Sequence, residues 1–229
     1  MGKLIIKLKM GCIIKHNIND SSVLGVWKIE EDLDTLLQTV ALDADEKKKL
    51  NSFRSVRRKF EFLSVRALLA ELTGNTANII YNKNNKPFLK NGSMFISISH
   101  SHQLTAILLS VNEKVGVDLE YMSSNIAAIA LKFMNVKEKI TKDPANRLYH
   151  LYLHWCAKEA LYKICDKEIT SIRKDISIEP FKVCDSGKIT GSVNTDVMNE
   201  SFNLNYIKYD NYAIVWTKKI MEKSNLNIK

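Results

Sequence analysis

Apolar residues recur at helical spacing from Asp43 to Leu72, where Leu50, Phe53, Val56, Phe60, Leu63, Ala67 and Leu68 share a face and Gly74 supplies a stop. Asn51-Ser52 is placed to break this stretch into two helices. A second helical segment runs from about Asp143 to Ile164, through Leu151, Trp155, Ala160 and Leu161. Short alternating or apolar runs predict strands at Ile79–Tyr81, Phe95–Ile98, Leu104–Val111, Val115–Glu120, Ile176–Val183, Phe202–Ile207 and Tyr212–Trp216. Helices and strands in this alternation place the chain in the α/β or α+β classes, and we expect α+β.

The same pattern occurs twice. Gly25-Val26-Trp27-Lys28-Ile29-Glu30 matches Gly116-Val117-Asp118-Leu119-Glu120-Tyr121 at an offset of 91 residues. Leu63–Leu68 faces Trp155–Ala160 at an offset of 92, and Phe95–Ser110 runs without a gap against Phe202–Thr217 at 107. The order strand, long helix, hairpin is kept, which predicts an internal duplication. Each half would be a small antiparallel-rich sheet packed on a long helix. The halves are residues 1–112 and 113–229, with the active site at their seam. The second copy has Asp118 and Glu159 where the first has Trp27 and Ala67, so the seam should be acidic on one wall only.

Composition narrows this picture modestly. The 229 residues are 45% apolar and 26% charged, with eight Gly and three Pro, ordinary for a folded soluble chain and unlike a disordered one. The net charge of +9 favours an acidic partner, whether nucleic acid, an anionic cofactor or an acidic protein. Four scattered cysteines, without a CxxC pair, read as reduced thiols of a cytoplasmic protein. The apolar start, Met1–Lys15, is interrupted by Lys3, Lys7 and Lys9 and is too short to span a membrane, and Met10 is a candidate start.

Candidate chemistry lies in four short segments. In Gly116–Glu120 the strand period points Asp118 and Glu120 to one face, where two carboxylates repel unless a cation or a proton intervenes. A solvated strand end carries the same letters. In Trp155–Lys163, Glu159 and Lys163 share a helix face at i and i+4, as a surface ion pair also would. If this helix docks on that strand, three acids and a lysine come together, a set suited to a metal-bound diphosphate. Ser99-His100-Ser101 ends a strand and can offer hydroxyl, imidazole and backbone N–H groups to a phosphate. Lys86 precedes Pro87 in extended backbone.

Together these segments resemble the 4′-phosphopantetheinyl transferase superfamily. The G-[IV]-D-[ILV]-E strand is Gly116–Glu120 and the W-x-x-K-E-[AS]-x-x-K helix is Trp155–Lys163, both complete. The K-P loop is Lys86-Pro87 and the [NS]-[IL]-S-H-[ST] turn is Ser97–Ser101. The repeat resembles the large type, in which two similar halves form a pseudo-dimeric monomer. The resemblance implies Mg²⁺ held by Asp118, Glu120 and Glu159 with the coenzyme A diphosphate. It implies that Lys86, Ser99 and His100 contact phosphates, that Lys158 and Lys163 line the cleft, and that Arg58 and Arg66 are candidates for the adenosine 3′-phosphate. Glu159 is the expected general base, with Lys163 stabilising developing charge. The implied acceptor is a serine of an acidic apo carrier protein, with no nucleic acid or membrane partner. A metal-dependent coenzyme A diphosphohydrolase and a basic nucleic-acid-binding module are the alternatives.

Overall fold

The computed structural model describes residues 11–74, 78–123, 125–165 and 169–220. The first ten residues, with most of the apolar start and the candidate start at Met10, lie outside these.

In chain order the elements of the N-terminal half are β1 (Cys12–Asn19), β2 (Ser22–Lys28), α1 (Leu33–Gln38), α2 (Ala44–Ser52), α3 (Val56–Thr73), β3 (Ile79–Tyr81), β4 (Pro87–Leu89), β5 (Phe95–Ser101) and β6 (Leu104–Ser110). Beyond them come β7 (Glu113–Tyr121), α4 (Ile126–Phe133), α5 (Pro144–Cys165), α6 (Ile172–Asp175), β8 (Ile176–Ile178), β9 (Ser186–Asn194), β10 (Asn199–Tyr209) and β11 (Tyr212–Ile220). The fold is α+β, with antiparallel sheets in the orders β1-β2-β6-β5 and β7-β11-β10-β9-β8 and a small β3-β4 pair.

The predicted long helix does divide near Asn51-Ser52. Ser55 restarts it by accepting from the Arg58 N–H at 3.5 Å, and Gly74 ends it in the left-handed region at φ 69°. The second helix lies where periodicity placed it. The predicted strand Ile176–Val183 stops at Ile178, two residues before Pro180, which has no N–H for a ladder.

Three apolar clusters stack these elements into layers. Leu63, Leu68 and Leu69 of α3 pack on Ile96, Ile107 and Leu109. On the opposite face of that sheet, Leu24, Val26, Ala106 and Leu108 meet Val117, Leu119, Ile214 and Trp216 of the second sheet. The far face of the second sheet, including Ala213 and Val215, packs on Leu153, Ala157, Ala160 and Leu161 of α5. The order is therefore helix, sheet, sheet, helix, and the alternation of each strand assigns its residues to layers.

In both sheets the strand before the long helix pairs with the second strand of the later hairpin, β2 with β6 and β7 with β11. Gly25 lies under Leu68 and Leu72 of α3, and Gly116 under Ala160 of α5. The second hairpin turns at Asp210-Asn211 and the first at His102-Gln103, one residue earlier than the ungapped match of Phe95–Ser110 places it.

Among these glycines, Gly116 decides where the acidic strand lies. A Cβ there would stand 2.1 Å from the Ala160 carbonyl oxygen, so β7 lies against α5 only because this residue has no side chain. That approach brings the even-numbered residues of β7, Asp118 and Glu120, against the helix bearing Glu159.

Candidate active site

Asp118 is buried, with 4% exposure. Its Oδ1 accepts from Lys163 Nζ at 2.7 Å and from Ser99 Oγ at 2.8 Å, while Oδ2 is buried without a partner. Lys163 also donates to the Val117 carbonyl at 2.9 Å. The i, i+4 surface pair with Glu159 is thus not what Lys163 makes; it turns to the strand.

Two residues along β7, Glu120 receives Ser101 Oγ at 2.7 Å on one oxygen and Trp155 Nε1 at 3.4 Å on the other. Burial raises its pKa, and the Asp118 charge adds to this, against Ser101, Trp155 and Lys163. Glu159 has no hydrogen bond among the described residues. Burial, then Asp118, push its pKa up to about 7, with Lys163 opposing and Glu120 adding. The three predicted acids therefore do sense one another, around a single ammonium.

The N-terminal half carries a cleft of its own. A cleft of ≈ 810 Å³ is lined by Arg58, Glu61, Arg66, His100 and the residues flanking Lys86, Asn85 and Pro87. Arg58 Nη1 and Arg57 Nε each donate to Glu61 at 2.9 Å, and His100 Nδ1 lies 3.6 Å from it. Burial would raise the Glu61 pKa, but His100, Arg58 and Arg57 bring it below the usual value. Burial lowers that of His100, with Glu61 opposing. Arg66 donates to Glu46 at 2.9 Å and lies 3.3 Å from the centre of the Phe62 ring.

One predicted residue is elsewhere. Lys158 has 0% exposure, and its ammonium donates to the carbonyls of Phe133 and Ile176 at 2.8 and 2.9 Å and pairs with Glu138 at 2.9 Å. Burial lowers its pKa and Glu138 opposes. Lys158 thus does not line the cleft. Neighbours on a helix are about 100° apart, so it cannot share a face with Glu159. Conversely, the sequence pattern gave Ser101 a phosphate-facing role rather than a carboxylate partner, and assigned none to Trp155 or Glu61. The strand period, which groups Ser97, Ser99 and Ser101 on one face, was the signal for the first of these.

Residues 114–217 match the family model of the 4′-phosphopantetheinyl transferase superfamily. The matched span begins in β7 and ends in β11, taking in the carboxylate strand and all of α5. Over that span the chain is similar to this superfamily. A curated relative, 4′-phosphopantetheinyl transferase HetI of Nostoc sp. (strain PCC 7120 / SAG 25.82 / UTEX 2576), is 24% identical over 183 residues, which cover 70% of this chain and 76% of the relative. Both likenesses are to transferases of phosphopantetheine. Among the described residues, no helix is long and apolar enough to cross a membrane.

Whether these acids suit a divalent cation can be judged from what they lack. Asp118 Oδ2 is buried and unbonded, Glu159 has no hydrogen bond among the described residues, and Lys163 pairs with Asp118 but with neither glutamate. That surplus of oxygen donors and negative charge fits Mg²⁺. Among the described residues no group of three His, Cys, Asp or Glu is gathered closely enough to hold a metal alone.

Proposed function

We propose that the protein transfers the 4′-phosphopantetheine moiety of coenzyme A to a serine hydroxyl of an acidic apo acyl or peptidyl carrier protein, releasing 3′,5′-ADP. The observation that carries this reading is Glu159, a half-buried, unbonded carboxylate beside Asp118 whose pKa is pushed up to about 7.

In this reading the cleft takes the anionic end of coenzyme A. Arg58, Arg66, His100 and Lys86 would meet its phosphates. Mg²⁺, held by Asp118, Glu120 and Glu159 with the diphosphate, would draw charge from the phosphoryl oxygens. Glu159 accepts the proton of the incoming serine hydroxyl, directly or through water, and a pKa near the operating pH suits that task. The serine oxygen bonds to the β-phosphorus as the bond to the 3′,5′-ADP oxygen breaks. Lys163, fixed on Asp118, would stabilise charge on the leaving side.

We infer that the chain acts as a pseudo-dimeric monomer of halves 1–112 and 113–229, in the cytoplasm. The two-residue link between β6 and β7 and the shared strand order support that division. The test is incubation with coenzyme A, Mg²⁺ and a panel of apo carrier proteins, followed by intact mass. A gain of one phosphopantetheine on a carrier, absent in its serine-to-alanine variant, is expected. Coenzyme A cleaved without any carrier would overturn the reading in favour of a diphosphohydrolase.

A further inference from the structure

β5 and β7 are edge strands of different sheets, yet hydroxyls join them side by side. Ser97 Oγ accepts the Val117 N–H at 3.0 Å and Ser101 Oγ accepts the Tyr121 N–H at 3.2 Å. These bonds supply acceptors that the outer edge of β7 would otherwise lack. A serine hydroxyl has a single proton to donate. With its oxygen fixed by Tyr121, Ser101 directs that proton to Glu120 at 2.7 Å. Trp155 occupies the other Glu120 oxygen, so both are held. Ser99 Oγ donates to Asp118 Oδ1, which leaves Oδ2 as the bare oxygen.

We propose that Ser101 and Ser99 are positioning residues: from the N-terminal sheet they set the orientation of Glu120 and Asp118, so that one half of the molecule tunes the cation affinity of the other. This rests on the metal reading given under the proposed function. Partners that orient a ligand from behind commonly account for about 10- to 100-fold in metal affinity. Ser97 is the internal control, because its hydroxyl holds β7 backbone and bonds to no carboxylate.

The test uses the full-length protein with coenzyme A and no carrier, titrated with Mn²⁺, the free ion being read by electron paramagnetic resonance. Ser101→Ala should weaken Mn²⁺ binding about tenfold. Ser101→Thr, which keeps the hydroxyl, should restore it, and Ser97→Ala should leave it within about twofold even where it lowers the melting temperature. In turnover assays Ser101→Ala should raise the Mg²⁺ concentration needed for half-maximal rate and leave KM for the carrier unchanged. Equal Mn²⁺ affinity in wild type and Ser101→Ala overturns this inference alone. A wild type that binds no Mn²⁺ overturns the metal reading along with it. Should Ser101→Ala not fold, Ser99→Ala probes the same coupling at Asp118, and unchanged affinity there is equally fatal.

Discussion

Replacing Lys158 by Met separates the two roles this lysine can be given. In the structure it is a buried strut: its ammonium is bonded to Glu138 and to the carbonyls of Phe133 and Ile176, tying α5 to the end of α4 and the start of β8. The Glu138 side chain is only 2% exposed, so its charge cannot reach water when the lysine is removed. Breaking a buried pair by deleting one partner costs about 3–5 kcal/mol. Glu138 keeps the N–H groups of Ile178 at 2.8 Å and Asn135 at 2.7 Å, which places the expected loss toward the lower end, about 3 kcal/mol. For a chain of this size that corresponds to a fall in Tm of about 6–12 °C. Adding Glu138→Gln removes the stranded charge but keeps a carbonyl acceptor, so the double variant should recover a large part of the loss. Urea unfolding gives the stabilities, and steady-state kinetics at a temperature where the variant is folded gives KM for coenzyme A. A Lys158→Met protein of unchanged stability with a strongly raised KM for coenzyme A would refute this reasoning and restore the lysine to the phosphate cleft.

Three further outcomes are expected. Glu159→Gln should lower turnover about 10²- to 10⁴-fold while Mn²⁺ still binds, and near-normal turnover with metal bound would refute the base assignment. Gly116→Ala should destabilise by more than about 3 kcal/mol or abolish soluble expression, because its Cβ would meet the Ala160 backbone oxygen; a melting curve within a degree of wild type would count against the close approach. His150 and His154 are buried on α5 with pKa values of about 4, held down by burial and, for His150, by the neighbouring imidazole. Unfolded imidazoles titrate near 6.5, so between these values the unfolded chain binds more protons. Stability should therefore be complete above pH 6.5 and fall as the pH drops through 4, by up to roughly 3 kcal/mol per histidine. Urea midpoints across that range check this, and a flat profile would contradict it.

How much of the fold could be read from the chain differs by element. α3 and α5 were legible because their apolar positions repeat at helical spacing over several turns and a glycine or proline marks one end. β9 was not, since Ser186–Asn194 contains two glycines and reads as a turn. In the fold those glycines are filled positions, Gly187 beneath the Tyr206 ring and Gly191 against Leu161. α4 was missed because Ile126–Phe133 has almost no polar positions to show a helical period.

For the site, local periodicity was enough to put Asp118 with Glu120 and Glu159 with Lys163, since each pair lies within one element and its relative direction follows from backbone geometry. Order along the chain was enough to suggest the superfamily. What periodicity could not decide is which partner each side chain meets across elements. Lys163 could have bonded within its own helix but reaches Asp118; Lys158 could have faced phosphate but closes a buried pair with Glu138. The serines of β5 look like an ordinary polar strand end until the second sheet lies against them. Direction along a helix or strand is fixed by a few bonds and is written locally, whereas a contact between layers depends on how closely two faces approach, and here that approach was set by packing, down to the missing side chain of Gly116.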